Sequence, residues 1–177
     1  MVRYRIAIIV WLFFTPTAWA VPPLYQLIAE RESIPPTVLY SLALTESQLL
    51  LSNGTVRPWP WTLNVDKKPY RYSSKTEACQ ALMQFLKYTS SVDIGLVQIS
   101  WRWHSAPFSR PCDVLEPEIN LTYAAQLMEK AYAKLGDWTK AAGFYHRPAG
   151  GAPAERYRQA FAKNYARTLI TFPGGAS

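Results

Sequence analysis

The sequence predicts a mainly α-helical domain carrying one small β-hairpin insert. Three observations predict it. Six segments place apolar residues at the three- and four-residue spacing of a helix that buries one face. Helix-opening and helix-closing residues stand at their borders, among them Ser74, Asp137, Pro117 and Pro153 at starts and Gly136 at an end. One stretch, residues 59–72, has a different character: two β-rich runs flank a short polar turn.

In chain order, Leu24, Leu27 and Ile28 predict a short helix ending before Ser33. The next helix is read across residues 34–50. Pro36 suits its first turn, where a missing N–H is no loss. Leu39, Leu42, Glu46 and Leu49 fall on one stripe, and Tyr40 and Leu44 on the other side predict burial nearly all round. The hairpin follows, its turn at Asp66-Lys67-Lys68 and its second run opened by Pro69, which points to an edge strand. Ser74 and Glu77 form a capping box for a helix whose apolar face is Ala78, Ala81, Leu82, Phe85 and Leu86. Residues 91–100 read as an extended apolar run with Gly95 inside it, which suggests a bulge or a close backbone approach. A long helix from Pro117 carries Leu121, Ala124, Ala125, Met128, Ala131 and Leu135. Asp137 caps a short helix to Tyr145, and Pro153 opens a last one with Tyr157, Phe161 and Tyr165 at four-residue spacing. Residues 172–177 read as a loose tail.

Arg3 and Arg5, an apolar run from Ile6 to Phe14, and Ala18-Trp19-Ala20 predict a secretory signal peptide over residues 1–20, cleaved near Ala20; an uncleaved membrane anchor is the alternative. The expected location is therefore outside the cytoplasm, in a periplasm or at a cell wall. The domain proper is read as residues 21–171. The formal charge is +7, and loss of Arg3 and Arg5 with the leader leaves +5, which favours an anionic polymer or surface as partner or is the ordinary surface chemistry of a basic domain. The absence of any Lys/Arg block or nucleic-acid motif argues against DNA and RNA. An exported context permits a disulfide between Cys79 and Cys112; two separately buried thiols are the alternative.

Glu46 is the residue that does not belong to its surroundings. A carboxylate on a leucine face is costly as an anion, and desolvation raises its pKa. A raised pKa makes a general acid near neutral pH, the requirement for protonating a glycosidic oxygen. The alternative is a helix-end glutamate that is simply solvated or capped.

Thr45-Glu46-Ser47, Gly95-Leu96-Val97-Gln98-Ile99, Asn120-Leu121 and Phe144-Tyr145-His146 stand in that order. The series resembles the lytic transglycosylases with the soluble-transglycosylase fold, related in fold to goose-type lysozyme, across residues 24–165. Within them it looks most like the small enzymes that accompany conjugation and type IV secretion machinery, because of the long insert after the Glu-Ser pair and the Ser91-Val92-Asp93-Ile94 lead into Gly95. The resemblance implies a lysozyme-like helical domain. It implies cleavage of the β-1,4 bond between N-acetylmuramic acid and N-acetylglucosamine, with closure of a 1,6-anhydro ring. It further implies Glu46 as the single catalytic carboxyl, Ser47 as its motif partner, Gln98 lining the sugar groove and Tyr145 orienting the carboxylate. Peptidoglycan glycan strands would be the substrate, secretion or conjugation components the protein partners, and no cofactor would be needed. Val97 stands where the family commonly has Met, and His146 where it has Asn.

Other candidates carry alternatives. Ser91 is read as a contact to Glu46 or substrate, or as a strand-end residue; Asn120 as a sugar ligand or an N-cap. Asp93 is the best candidate for a second carboxylate, or a turn residue. Trp59, Trp61, Trp101 and Trp103 offer faces to sugar rings, or pack the hairpin and core. His104 and His146 are the only histidines, and no metal-ligand spacing exists. Two competing functions remain: a muramidase of the same fold, and a wall-binding assembly protein without turnover.

Overall fold

The structure, a computed structural model, describes residues 20–173. The leader read at residues 1–20 lies almost wholly outside the described residues, as do residues 174–177. Among the described residues the chain forms seven α-helices and six short strands. None of those helices is long and apolar enough to cross a membrane.

Helix α1 (Pro23–Arg31) leads into α2 (Pro36–Ser47), which opens on proline as expected. Every residue of α2 from Thr37 to Leu44 is buried. Helices α1, α5 (Pro117–Leu135) and α7 (Ala152–Thr171) pack around it. Leu39 and Leu42 are wholly enclosed, each contributing about 2 kcal/mol through burial. Helix α2 stops at Ser47, because Gln48 turns to φ −55°, ψ 139°. Leu49 is therefore not on the helical stripe. It belongs to β1 (Gln48–Leu50), paired antiparallel with β2 (Val56–Pro58). A leucine at helical spacing looks the same in sequence whether or not the helix continues; here strand pairing takes it.

The predicted hairpin is β3 (Thr62–Val65) and β4 (Lys68–Arg71). Its turn residues Asp66 and Lys67 both have positive φ, 46° and 68°, the two-residue geometry that matches strand twist. Strand β4, with Pro69, is an edge. The hairpin is part of a four-stranded antiparallel sheet in the order β4-β3-β5-β6, completed by β5 (Val92–Ile94) and β6 (Ile99–Ser100). Helix α3 (Lys75–Phe85) is capped by Ser74, whose hydroxyl accepts from Glu77 N, while Glu77 reaches back to Ser73 rather than Ser74.

A one-turn helix α4 (Trp101–His104) and a 3₁₀ turn (Pro111–Leu115) precede α5 (Pro117–Leu135), which ends on Gly136 at φ 63°. Asp137 caps α6 (Trp138–His146) by accepting from Lys140 N at 2.8 Å. Helix α7 (Ala152–Thr171) then lies against α2 and α6. Cys79 on α3 and Cys112 in the 3₁₀ turn are joined as a disulfide. Phe172, read as the start of a loose tail, instead packs edge-on against Tyr40 at 5.6 Å between ring centres.

Candidate active site

A cleft of ≈ 940 Å³ opens where the end of α2, the sheet, and the C-terminal end of α6 meet. Glu46 lines it, together with Asp93, Gln98, Trp103, Tyr145 and His146. The helix that carries Glu46 has no freedom to turn it elsewhere. Residues 37–44 and Ser47 of α2 are buried, Thr45 Oγ1 donates back to the Ser41 carbonyl at 2.8 Å, and Asn164 of α7 donates to Thr45 Oγ1 at 3.0 Å.

Burial pushes the Glu46 carboxyl up to about 8; the negative charge of Asp93 adds to this, and a hydrogen bond from Tyr157 opposes it. That bond runs from the Tyr157 hydroxyl to Glu46 Oε1 at 2.6 Å. Burial, with the Glu46 charge, holds the Tyr157 hydroxyl well above the ordinary phenol range, so it stays a donor. His146 stacks flat on the Tyr157 ring, 4.3 Å between centres and 5° from parallel. His146 thus braces the tyrosine that donates to Glu46. Burial and the nearby Arg147 lower the His146 pKa, which favours a neutral ring.

The turn at residues 95–98 forms part of the cleft wall. Gly95 has φ +84°, and a Cβ there would sit 2.5 Å from Asn120 Nδ2, so the close approach anticipated in the run is real and glycine is required. Gln98 also has positive φ, 48°, an uncommon and strained state for a side chain of its kind. It lines the cleft, with Nε2 donating to the Gly95 carbonyl at 2.8 Å.

Ser47, read as the motif partner of Glu46, Asn120, read as a sugar ligand or an N-cap, and Tyr145, read as orienting the carboxylate, all hold this turn. Ser47 is buried, its hydroxyl donating to the Leu96 carbonyl at 2.7 Å. Asn120, 1 % exposed, is neither an N-cap nor a cleft residue. It accepts from Val97 N at 3.0 Å and donates to the Ile94 and Val114 carbonyls at 2.9 and 3.0 Å. Tyr145 does line the cleft, but its hydroxyl donates to the Val97 carbonyl at 2.7 Å and not to Glu46. The physical reason is common to all three: the turn's backbone groups are buried and need partners, and these polar side chains supply them. Ser91 sits at the far end of β5, where its N–H donates to Thr89 and its carbonyl accepts from Asp66 N; it is not part of the cleft lining.

Of the tryptophans among the described residues, only Trp103 lines the cleft, and it is 77 % exposed. Trp59 and Trp61 pack edge to face at 5.6 Å, and Trp101 packs on the core. Asp93 faces the cleft beside Glu46. Burial raises its pKa against the opposing effects of a Ser100 hydrogen bond and the Arg102 charge. Among the described residues, no group of three or more His, Cys, Asp or Glu is placed as metal ligands would be.

Tyr157 is the residue that sequence reasoning left in the core. Its spacing with Phe161 and Tyr165 explains why, and only its hydroxyl distinguishes it from Phe161. Comparison of the chain with protein-family models, with curated proteins and with solved structures finds no match.

Proposed function

We propose that this chain is a peptidoglycan lytic transglycosylase with a lysozyme-like helical domain. The observation that carries the proposal is Glu46 itself: a carboxyl lining a wide cleft, hydrogen-bonded by a buried tyrosine and pushed up to about 8, so that it is protonated at neutral pH. Export through the leader read at residues 1–20 would bring it to the cell wall, and its basic charge suits an anionic wall polymer.

The chemistry follows from one carboxyl. Glu46 gives its proton to the glycosidic oxygen as the bond from that oxygen to the anomeric carbon breaks. The 6-hydroxyl of the same sugar closes on the anomeric carbon, and its proton passes to the Glu46 carboxylate. No water is consumed, and the acid is restored. Tyr157 steadies the anion between the two transfers. Exposed Trp103 offers a flat apolar face for a sugar ring at the cleft mouth. Local opening of the wall during assembly of a conjugation or secretion apparatus is the role that the sequence resemblance supports.

Asp93 favours a second reading. A second carboxyl in the same cleft is what a muramidase needs to activate water. Wall-polymer clearing by the purified protein tests for turnover of either kind. The wild type should clear the suspension, and Glu46→Gln should slow clearing by about 10²–10⁴-fold. Binding of wall material without clearing by the wild type would support a non-catalytic assembly protein instead.

A further inference from the structure

Asn64 stands in the middle of β3, directly opposite Asp93 on β5, which is itself directly opposite Ser100 on β6. All three line the cleft with Glu46. They form a polar row across the sheet, with neighbouring strands about 5 Å apart. Within that row Asn64 Oδ1 is sealed from solvent and has no hydrogen-bond partner, alone among the buried side-chain polar atoms of the described residues.

An unpartnered buried acceptor is a cost to the free protein. Nothing in the sheet calls for it. Asparagine is a poor strand former, and its β3 neighbours Thr62, Leu63 and Val65 are buried residues of ordinary strand type. The terminal torsion of an asparagine is soft. A half-turn exchanges Oδ1 with Nδ2, so an Asn64 amide that lines the cleft can offer either an acceptor or a donor. The same cleft has an apolar lining at Ile99, Leu127 and Phe144. A group that carries an amide donor and a methyl together matches both features; a hydroxyl matches only the first.

We propose that Asn64 is a specificity residue, accepting a hydrogen bond from the acetamido N–H of an N-acetylated sugar bound in the cleft. This rests on the glycan-cleaving function proposed above. The row of Asn64, Asp93 and Ser100 then reads a 2-acetamido substituent.

Calorimetry with two soluble probes tests this: a pentamer of N-acetylglucosamine and a pentamer of glucose, each titrated into the Glu46→Gln protein to prevent turnover. Adding Asn64→Ala should weaken binding of the N-acetylated pentamer by about tenfold and change binding of the glucose pentamer by less than about twofold. The melting temperature should stay level or rise, because the change removes an unsatisfied acceptor. Asn64→Val, which suits a strand, should behave alike. Unchanged affinity for the N-acetylated pentamer would overturn the role of Asn64 while leaving the proposed function standing. So would a lowered melting temperature with equal loss for both sugars, which marks a structural residue. A Glu46→Gln protein that binds neither sugar would overturn both.

Discussion

Tyr157 and Glu46 are 111 positions apart in the chain, and the tyrosine hydroxyl donates to Glu46 Oε1 across 2.6 Å. Glu46 is in the last turn of α2 and Tyr157 in the first half of α7, so the packing of those two helices makes the bond. The bond stabilises the anion that forms when Glu46 gives up its proton. Tyr157→Phe keeps the ring stacked on His146 and removes only that bond. Turnover should fall by about ten- to a hundredfold, the value of a hydrogen bond to a charged group. Because the bond lowers the Glu46 pKa, the alkaline limb of the pH profile should move upward in the variant. Steady-state rates across pH check both.

The Glu46 proton also links stability to pH. Its ordinary value is 4.5 and its folded value about 8. Between those two the folded chain holds a proton that the unfolded chain has lost, so stability falls as pH rises through that window. Glu46→Gln has no such proton. The wild type should therefore melt progressively below Glu46→Gln between pH 5 and about 9, with the two nearly equal at the acid end. Activity, which needs the protonated acid, should fall about tenfold per pH unit above about 8. Thermal melts at matched ionic strength provide the first comparison.

Asn120 and Gly95 form the clamp behind the cleft. Asn120→Ala strands the Val97 N–H and the Ile94 and Val114 carbonyls. The expected loss is about 3 kcal/mol or more. Gly95→Ala drives a Cβ against Asn120 at a positive φ and should cost at least about 2 kcal/mol. Urea unfolding measures both. Asn120→Ala that stays fully stable and only weakens substrate binding would return it to the role of sugar ligand.

The Cys79–Cys112 bridge spans 33 positions. Closing a loop of that length should contribute about 3–4 kcal/mol, so the Cys79→Ser, Cys112→Ser double variant should lose about that much. Its activity at low temperature should persist, since neither cysteine lines the cleft.

Local signals made much of this fold legible. Proline at the start of α2, serine before α3, aspartate before α6 and Gly136 after α5 each act within a few residues of where they stand. The β1–β2 pair and the one-turn α4 are too short to carry a period, and Leu49 fits either state. Glu46 was legible because a carboxylate among leucines is a misfit. Tyr157 was not, since at helical spacing its ring is indistinguishable from core packing. Ser47, Asn120 and Tyr145 show the opposite limit. Their chemistry suits a sugar or the Glu46 carboxyl, but buried backbone groups of the 95–98 turn needed the same hydrogen bonds. Residue type states what a side chain can bond, and only the folded arrangement decides between ligand and backbone.

The mass of the newly cut sugar terminus bears most directly on Glu46 acting alone as acid and then base. Wall polymer digested by the purified protein should yield muropeptides ending in a 1,6-anhydro sugar, one water lighter than reducing ends, and Glu46→Gln should yield none above background. Reducing ends from the wild type would contradict the account and make Asp93 the residue that activates water.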